Sequence, residues 1–302
     1  MNTGANLLAQ FSNFTADLAW GKDRAAVNNH QLVDTVRGNT AVLQSNTTAA
    51  ETTYTAPTAG DACIAWGWKA GGAGVSNTDG SITSTVSANR AAGFSIVTYT
   101  GTGANATVGH GLGVAPKLVI VKRRNAVSGS GWLAYHQSLP SAAYNLYLNA
   151  TNAQINDATV WNSSTPTSSV FSICTHVDVN NNTNTYVAYC FAEVPGYSKI
   201  GSYTGNGLAD GPFVYCGFRP KWVMVKSSTA VDDWRIYDAL RPGYNVQGGT
   251  LLADTTGAET TAAEVDFVCN GFKLRVATTP NAAQTYIFIA LAESPFKYSN
   301  AR

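Results

Sequence analysis

Trp161 stands in the run NDATVWNSSTPTSS with Asn162 beside it, while Trp132 and Trp234 open two matching runs, WLAYHQSL and WRIYDALR. An indole set among amides and hydroxyls suits one chemistry in particular. Its face stacks on a neutral sugar ring while the neighbouring side chains exchange hydrogen bonds with the sugar hydroxyls. Indoles at strand ends also serve as core residues. Trp161, Asn162, Trp132 and Trp234 are the candidate carbohydrate-binding residues, and Trp161 leads because of its polar surroundings.

The other reactive side chains form weaker patterns. His30, His110, His136 and His176 are scattered, without the spacing of a zinc site. Asp34 with Arg37 and Asp238 with Arg241 repeat one i, i+3 acid–base pair, which reads as a surface ion pair steadying a turn. Asp232 and Asp233 are adjacent acids, and Glu193 and Glu293 hold matching strand ends; a glycosidase would need two carboxylates facing each other across a groove, which spacing alone does not provide. Gly101-Thr-Gly103 superficially suggests a phosphate loop, but GVAPKLVIVK follows it instead of a helix, and Gly205-Asn-Gly207 repeats it. Both read as hairpin turns that need positive φ. Cys63, Cys174, Cys190, Cys216 and Cys269 are odd in number and lack CxxC spacing, so they are expected as free and mostly buried thiols. No catalytic residue, metal or cofactor is expected.

Elements suited to positioning such residues follow from composition. Lys and Arg number 19 and Asp and Glu 18 in 302 residues, or 12 % charged, about half the roughly 25 % usual for soluble domains. A net charge of +1 supplies no field to gather nucleic acid or an anionic membrane. No apolar stretch reaches the roughly 18–20 residues of a bilayer span, and MNTGANLLAQFSNF has no signal-peptide pattern. Thr, Ser, Asn and Gly replace the missing charge, which favours strands and tight turns over helices. The fold class expected is all-β.

A repeat of about 100 residues organises the strands. SIVTYTGTGANATVGHGLGVAPKLVIVKRR (95–124) aligns with KIGSYTGNGLADGPFVYCGFRPKWVMVKSS (199–228) at a constant offset of 104. NATNAQ (149–154) matches DTTGAE (254–259), and TYVAYCFAEVPGYS (185–198) matches TYIFIALAESPFKYS (285–299). FTADLAWGKDR, QLVDTVRGN, NTTAAET and CIAWGW continue the same order near the N-terminus as a shortened copy. The expected organisation is an abbreviated β repeat over 1–72, a Gly/Ser/Thr/Asn-rich linker or extended strand-like arm over 73–93, and full repeats over 94–197 and 198–302. Each is expected as an antiparallel β-sandwich or jelly-roll-like unit. TYVAYCFAE and TYIFIALAE, apolar on both faces, should lie centrally in their sheets.

SNTDGSITSTVSAN (76–89), GFSIVTYTGTGANATVGHGLGVAPKLVIVKRR (93–124), TYVAYCFAEVPGYSKIGSYTGNG (185–207) and DGPFVYCGFRPKWVMVK (210–226) resemble the tandem-repeat domain of tailed-bacteriophage virion proteins, especially those of marine and environmental phages. TPTSSVFS, GFKLR and the C-terminal AESPFKYSNAR extend the likeness from about residue 14 to 302. The resemblance implies a non-enzymatic virion protein made in the host bacterial cytoplasm and exposed on the particle as a tail-fibre or receptor-binding component touching host-surface polysaccharide. The alternatives are a decoration or accessory protein of capsid, neck or tail, and a polysaccharide depolymerase. Implied partners are other virion proteins and a homo-oligomer, a trimer in first place, with no nucleic acid and no membrane insertion.

Overall fold

The computed structural model describes residues 7–11, 14–55, 62–125, 129–241 and 245–293. The chain is 45 % strand and 4 % helix, and its ladders are antiparallel. Two compact units emerge. Unit 1 comprises the described residues of Met1–Ala150, Ile155–Ala192 and Asp254–Ala258; unit 2 comprises those of Thr151–Gln154, Glu193–Ala253 and Glu259–Arg302.

Unit 1 begins with a 3-10 turn, Leu7–Gln10, followed by β1 (Leu18–Asp23), β2 (Gln31–Asp34), β3 (Gly38–Leu43), β4 (Thr52–Thr53) and β5 (Cys63–Trp68). These form one sheet in the order β4-β3-β2-β1-β5. Then come β6 (Val75–Asn77), β7 (Ser84–Asn89), β8 (Phe94–Thr100), β9 (Ala106–Gly109), β10 (Leu118–Arg123), β11 (Trp132–His136), β12 (Tyr144–Tyr147), β13 (Ile155–Asn156), β14 (Val170–Ile173) and β15 (Thr185–Phe191). Eight of them build a sheet in the order β13-β12-β11-β10-β15-β8-β7-β6, and β9 with β14 makes a separate ladder. The one-turn helices α1 (Ala158–Trp161) and α2 (Val177–Asn180) complete the unit.

Side-chain alternation explains the layering. Val119 and Val121 of β10 and Ala188 and Cys190 of β15 point to one face of the large sheet, where Val108, Phe171 and Ile173 of the β9–β14 ladder and Val160, Trp161 and Val179 of α1 and α2 cover them. The result is a sandwich with one apolar layer between the large sheet and its cover. β10 is buried along its whole length, and β15 pairs on both sides, with β10 and β8, as its two-faced apolar pattern predicts.

Unit 2 contains β16 (Ser198–Thr204), β17 (Phe213–Tyr215), β18 (Pro220–Ser227), β19 (Arg235–Asp238), β20 (Gln247–Leu252), β21 (Thr260–Val268), β22 (Gly271–Leu274) and β23 (Thr285–Ala292). Their order is β16-β23-β18-β19-β20-β21-β22-β17. The sheet wraps round one core, because Tyr203 at one end stacks on Tyr286 (5.1 Å, 11°) and meets Phe272 near the other end edge-on (5.9 Å, 80°). Tyr99 repeats this in unit 1, stacked on Tyr186 (5.1 Å, 13°) and edge-on to Phe171 (6.2 Å, 68°).

Of the two readings of 73–93, the strand-like one describes the structure and the linker is corrected. Val75–Asn77 and Ser84–Asn89 are strands β6 and β7, and β7 pairs with β8 from Thr85↔Thr98 to Asn89↔Phe94. Ile82, Ser84 and Val86 alternate inward while Thr83 and Thr85 face solvent. Small inward residues gave the segment a linker-like composition, yet its period of two is that of a strand. The turn expected at RPGYN and the C-terminal string beyond Glu293 lie wholly or partly outside the described residues.

Candidate functional site

The candidate sugar platform does not form. Trp132, Trp161 and Trp234 are 0 %, 2 % and 2 % exposed. Trp132 opens β11, donates from Nε1 to the Gln44 carbonyl (2.9 Å) and stacks on Tyr189 (6.4 Å, 20°). Trp161 ends α1, whose N-cap Asp157 accepts from the Thr159 amide, and its ring meets Tyr135 edge-on at 6.2 Å inside the sandwich layer. Only Asn162 remains at the surface; it caps α1 at φ 52° and accepts from Asn105 Nδ2 at 3.1 Å. Burying an indole removes about 150–250 Å² from water, and that gain overrides the polar neighbourhood that pointed to display.

The Asp–Arg pairs are also corrected: they are buried, not on the surface. Asp34 and Arg37 side chains are both 0 % exposed. Asp34 Oδ1 accepts from the amides of Val36 (3.0 Å) and Arg37 (2.8 Å), while Oδ2 accepts from Arg37 Nε (2.5 Å) and the Tyr189 hydroxyl (2.8 Å). Arg37 Nη2 donates to the Leu32 carbonyl (2.9 Å) and Nη1 to Glu51 (3.0 Å), which Arg124 grips with Nε and Nη2, both at 3.0 Å. Unit 2 repeats the geometry. Asp238 accepts from the amides of Leu240 and Arg241 and from Arg241 Nε, whose guanidinium reaches the Ile236 carbonyl (2.8 Å) and Glu259 (3.0 Å). At the corresponding place in the middle copy, His136 Nδ1 accepts from the Ser138 amide at 3.1 Å.

Electrostatics make these groups structural. Burial works to raise the Glu51 carboxyl, but the Arg124 hydrogen bonds and the Arg37 charge outweigh it and hold the group below its ordinary range. Burial lifts the Tyr189 phenol well above its ordinary value, so it stays neutral as a hydrogen-bond donor. A guanidinium cannot act as a base, and this one is raised further by Tyr189 and Asp34 despite its desolvation.

Of a second network, only Asp232 stands out in the sequence. Glu264 accepts from the Tyr237 hydroxyl (2.5 Å), Thr250 Oγ1 (3.0 Å) and Arg235 Nη1 (3.2 Å), and Arg235 also reaches Thr279 (2.8 Å) and Asp232 (3.4 Å). Burial raises the Asp232 carboxyl against the opposing pull of Arg235. The alternating register of β19 to β21 brings Tyr237, Thr250 and Glu264 together from three strands. That convergence has no local sequence signal.

Three lysines at matching positions are buried, each with its ammonium on backbone carbonyls. Lys22 Nζ donates to Asp23 (2.7 Å), Ala26 (3.2 Å) and Thr256 (3.2 Å); Lys122 to Ser130 (2.7 Å) and Thr48 (3.2 Å); Lys226 to Ser227 (2.8 Å) and Thr151 (3.2 Å). In each set one carbonyl comes from the NTTAAE, NATNAQ or DTTGAE run of a different copy. Burial pushes Lys122 down to about 8, with Asp178 opposing it.

The remaining motifs resolve as backbone devices. Gly103 and Gly207 take the expected positive φ, 75° and 67°, but the hairpins expected there are corrected: β8 does not pair with β9, nor β16 with β17. Gly101 and Gly205 have a different role: a Cβ there would lie 2.4 Å from the Asn181 carbonyl oxygen and 2.0 Å from that of Ala282, so two chain segments touch. His30 and His110 are buried; His30 Nδ1 accepts from Trp20 Nε1 at 2.9 Å, and the His110 ring contacts the Thr167 carbonyl at 3.1 Å. All five cysteines are free; Cys190 and Cys216 are buried, Cys63 and Cys174 partly so, and Cys269 is exposed. Among the described residues no group of three or more His, Cys, Asp or Glu side chains is arranged to hold a metal ion, and no helix is long and apolar enough to cross a membrane.

No curated protein and no solved structure matches the chain. A family model described as a domain of unknown function (DUF7483) matches residues 2–59 and 54–295, and the chain belongs to that family.

Proposed function

We propose that the protein is a non-catalytic structural β-module of a bacteriophage particle, working in assembly or attachment rather than in chemistry. One observation carries the reading. Six charged side chains whose types could do chemistry, Asp34, Arg37, Glu51, Asp238, Arg241 and Glu264, are committed to internal ion pairs and hydroxyl or amide donors. Such networks hold turns and sheet edges in place and tie these six groups to the fold rather than to a substrate. The resemblance of the repeat strings to phage tail and virion proteins supports the setting.

Burial of the three tryptophans shifts the balance between roles. Glycan adsorption loses three of its four proposed residues, and an accessory role in capsid, neck or tail, built on protein–protein contact, becomes the better supported of the two. Mass spectrometry and antibody-labelled electron microscopy of particles produced from the encoding genome test this. Stoichiometric presence in the particle is expected. Absence from purified particles, or shortening of a host polysaccharide on incubation with the pure protein, overturns it.

A further inference from the structure

The middle and last copies differ at one sheet edge. In unit 1, β9 pairs through Val108 with Phe171 of β14; in unit 2, β17 pairs through Val214 with Phe272 of β22. The two ladders are equivalent, and β8 corresponds to β16 at the offset of 104. In unit 1 the gap between β8 and β9 is filled. β7 pairs with β8, and the residues leading into it reach β9: Ile82 bridges Val108 in parallel and donates from its amide to the Thr107 carbonyl (3.0 Å). The Ser81 amide donates to Thr107 Oγ1 (2.9 Å) and Ser84 Oγ to the Gly109 carbonyl (2.9 Å).

Unit 2 has no strand in this place among the described residues. β16 and β17 are the two ends of the sheet order, and no hydrogen bond joins them. The bonds of Leu274 to the Pro212 carbonyl and of the Cys216 amide to the Asn270 carbonyl fix the ladder phase. The backbone groups of Phe213 and Tyr215 therefore face the free edge. By the same logic, the bond of the Gly205 amide to the Gln284 carbonyl turns Ser202 and Thr204 outward on β16. Phe213 and Tyr215 are 46 % and 63 % exposed. Lower down, the Glu193 carboxylate takes the Ile200 amide (3.2 Å) and pairs with Lys199 (3.1 Å), a charged guard that confines the open stretch to Ser202–Thr204 and Phe213–Tyr215.

We propose that this opening receives an extended segment of another polypeptide chain, which adds as a strand antiparallel to β16 and parallel to β17. The filled slot of unit 1 specifies the occupant. Ile82, Ser84 and Val86 point inward there and are buried, so the incoming segment carries an aliphatic–x–small–x–aliphatic pattern over about five residues. This names a mode of partner capture for the assembly role above and rests on it, but the assay is independent of where the chain lies in a particle. Failure here leaves the particle location standing, and the reverse also holds.

The test uses the full chain and a labelled peptide with the sequence of residues 80–91, GSITSTVSANRA, as probe. Saturable binding is expected, with slowed amide exchange at Ser202–Thr204 and Phe213–Tyr215. A peptide with proline in place of Ile82 and Thr85 lacks the ladder amides and should bind at least tenfold more weakly. Ser202→Pro and Tyr215→Pro each delete an outward amide without touching a ladder bond to β23 or β22, so thermal melts should stay near wild type while binding falls at least tenfold. Absence of saturable binding, equal binding by the proline peptide, or undiminished binding by both folded variants overturns the proposal. So does protection of Phe213–Tyr215 by an oligosaccharide but not by the peptide, which assigns the edge to sugar.

Discussion

Asp34→Ala tests whether the repeated acid–base pair is as deeply structural as its geometry implies. The substitution removes the acceptor for two turn amides, one hydroxyl and Arg37 Nε, and strands a guanidinium whose side chain is 0 % exposed. Breaking a buried pair on one side costs about 3–5 kcal/mol, against about 0.2–1 for an exposed pair. Glu51 remains on Arg37 at 3.0 Å and offsets part of the loss, so the lower half of that range is expected. Urea unfolding monitored by tryptophan fluorescence measures it. The half-exposed pair Arg219–Glu293 provides the contrast, where Glu293→Ala should cost under about 1 kcal/mol. Replacing both partners, Asp34→Leu with Arg37→Met, should recover much of the loss, because an apolar pair of similar volume leaves no buried charge. A cost below about 1 kcal/mol for Asp34→Ala, or a double variant no better than the single one, would refute the reasoning.

Three further outcomes follow from other parts of the chain. Trp161→Ala should lower the stability of unit 1 by about 3–5 kcal/mol in the same unfolding assay, the usual cost of an emptied indole site. Gly205→Ala forces a Cβ to 2.0 Å from the Ala282 carbonyl oxygen, and thermal melting should show a loss of about 1–3 kcal/mol from the resulting backbone shift. Lys122→Met isolates a pH effect: with Lys122 at about 8 in the folded chain and its ordinary value at 10.5, the unfolded chain holds the extra proton between those values. The stability of wild type relative to Lys122→Met should therefore rise as pH increases from about 8 to 10.5, and a flat or falling difference in denaturant midpoints would contradict the assignment.

Much of the strand plan is written in local pattern. Leu118–Arg123 and Thr185–Phe191 are apolar on both faces and become central strands, and the Gly-x-Gly segments adopt positive φ at the second glycine although they close no hairpin. What local pattern hides is which polar residue ends up inside. The spacing of Asp34 and Arg37 is visible, but their burial depends on Tyr189, 155 positions away, closing over the pair. Trp161 has the neighbours of a displayed residue, and only the Asp157-capped turn of α1 directs it inward. Strand β7 was masked by its own serines and threonines, since an inward Ser84 satisfied by the Gly109 carbonyl packs like a small apolar residue. The network round Glu264 required a register between strands far apart in sequence.

The lysine contacts bear on how such a chain could be cut or lengthened. The carbonyl that completes each ammonium's shell, Thr48 for Lys122, Thr151 for Lys226 and Thr256 for Lys22, lies in a different repeat from the lysine it serves. A fragment holding one repeat alone would carry a cation stripped of an acceptor and a run of backbone with nothing to bind. Removing or adding one of these runs would therefore change the number of acceptors available to a lysine elsewhere in the chain. A cut that spares the strands but severs this exchange still leaves an ammonium short of a carbonyl, so strand boundaries alone do not mark where the chain can be divided.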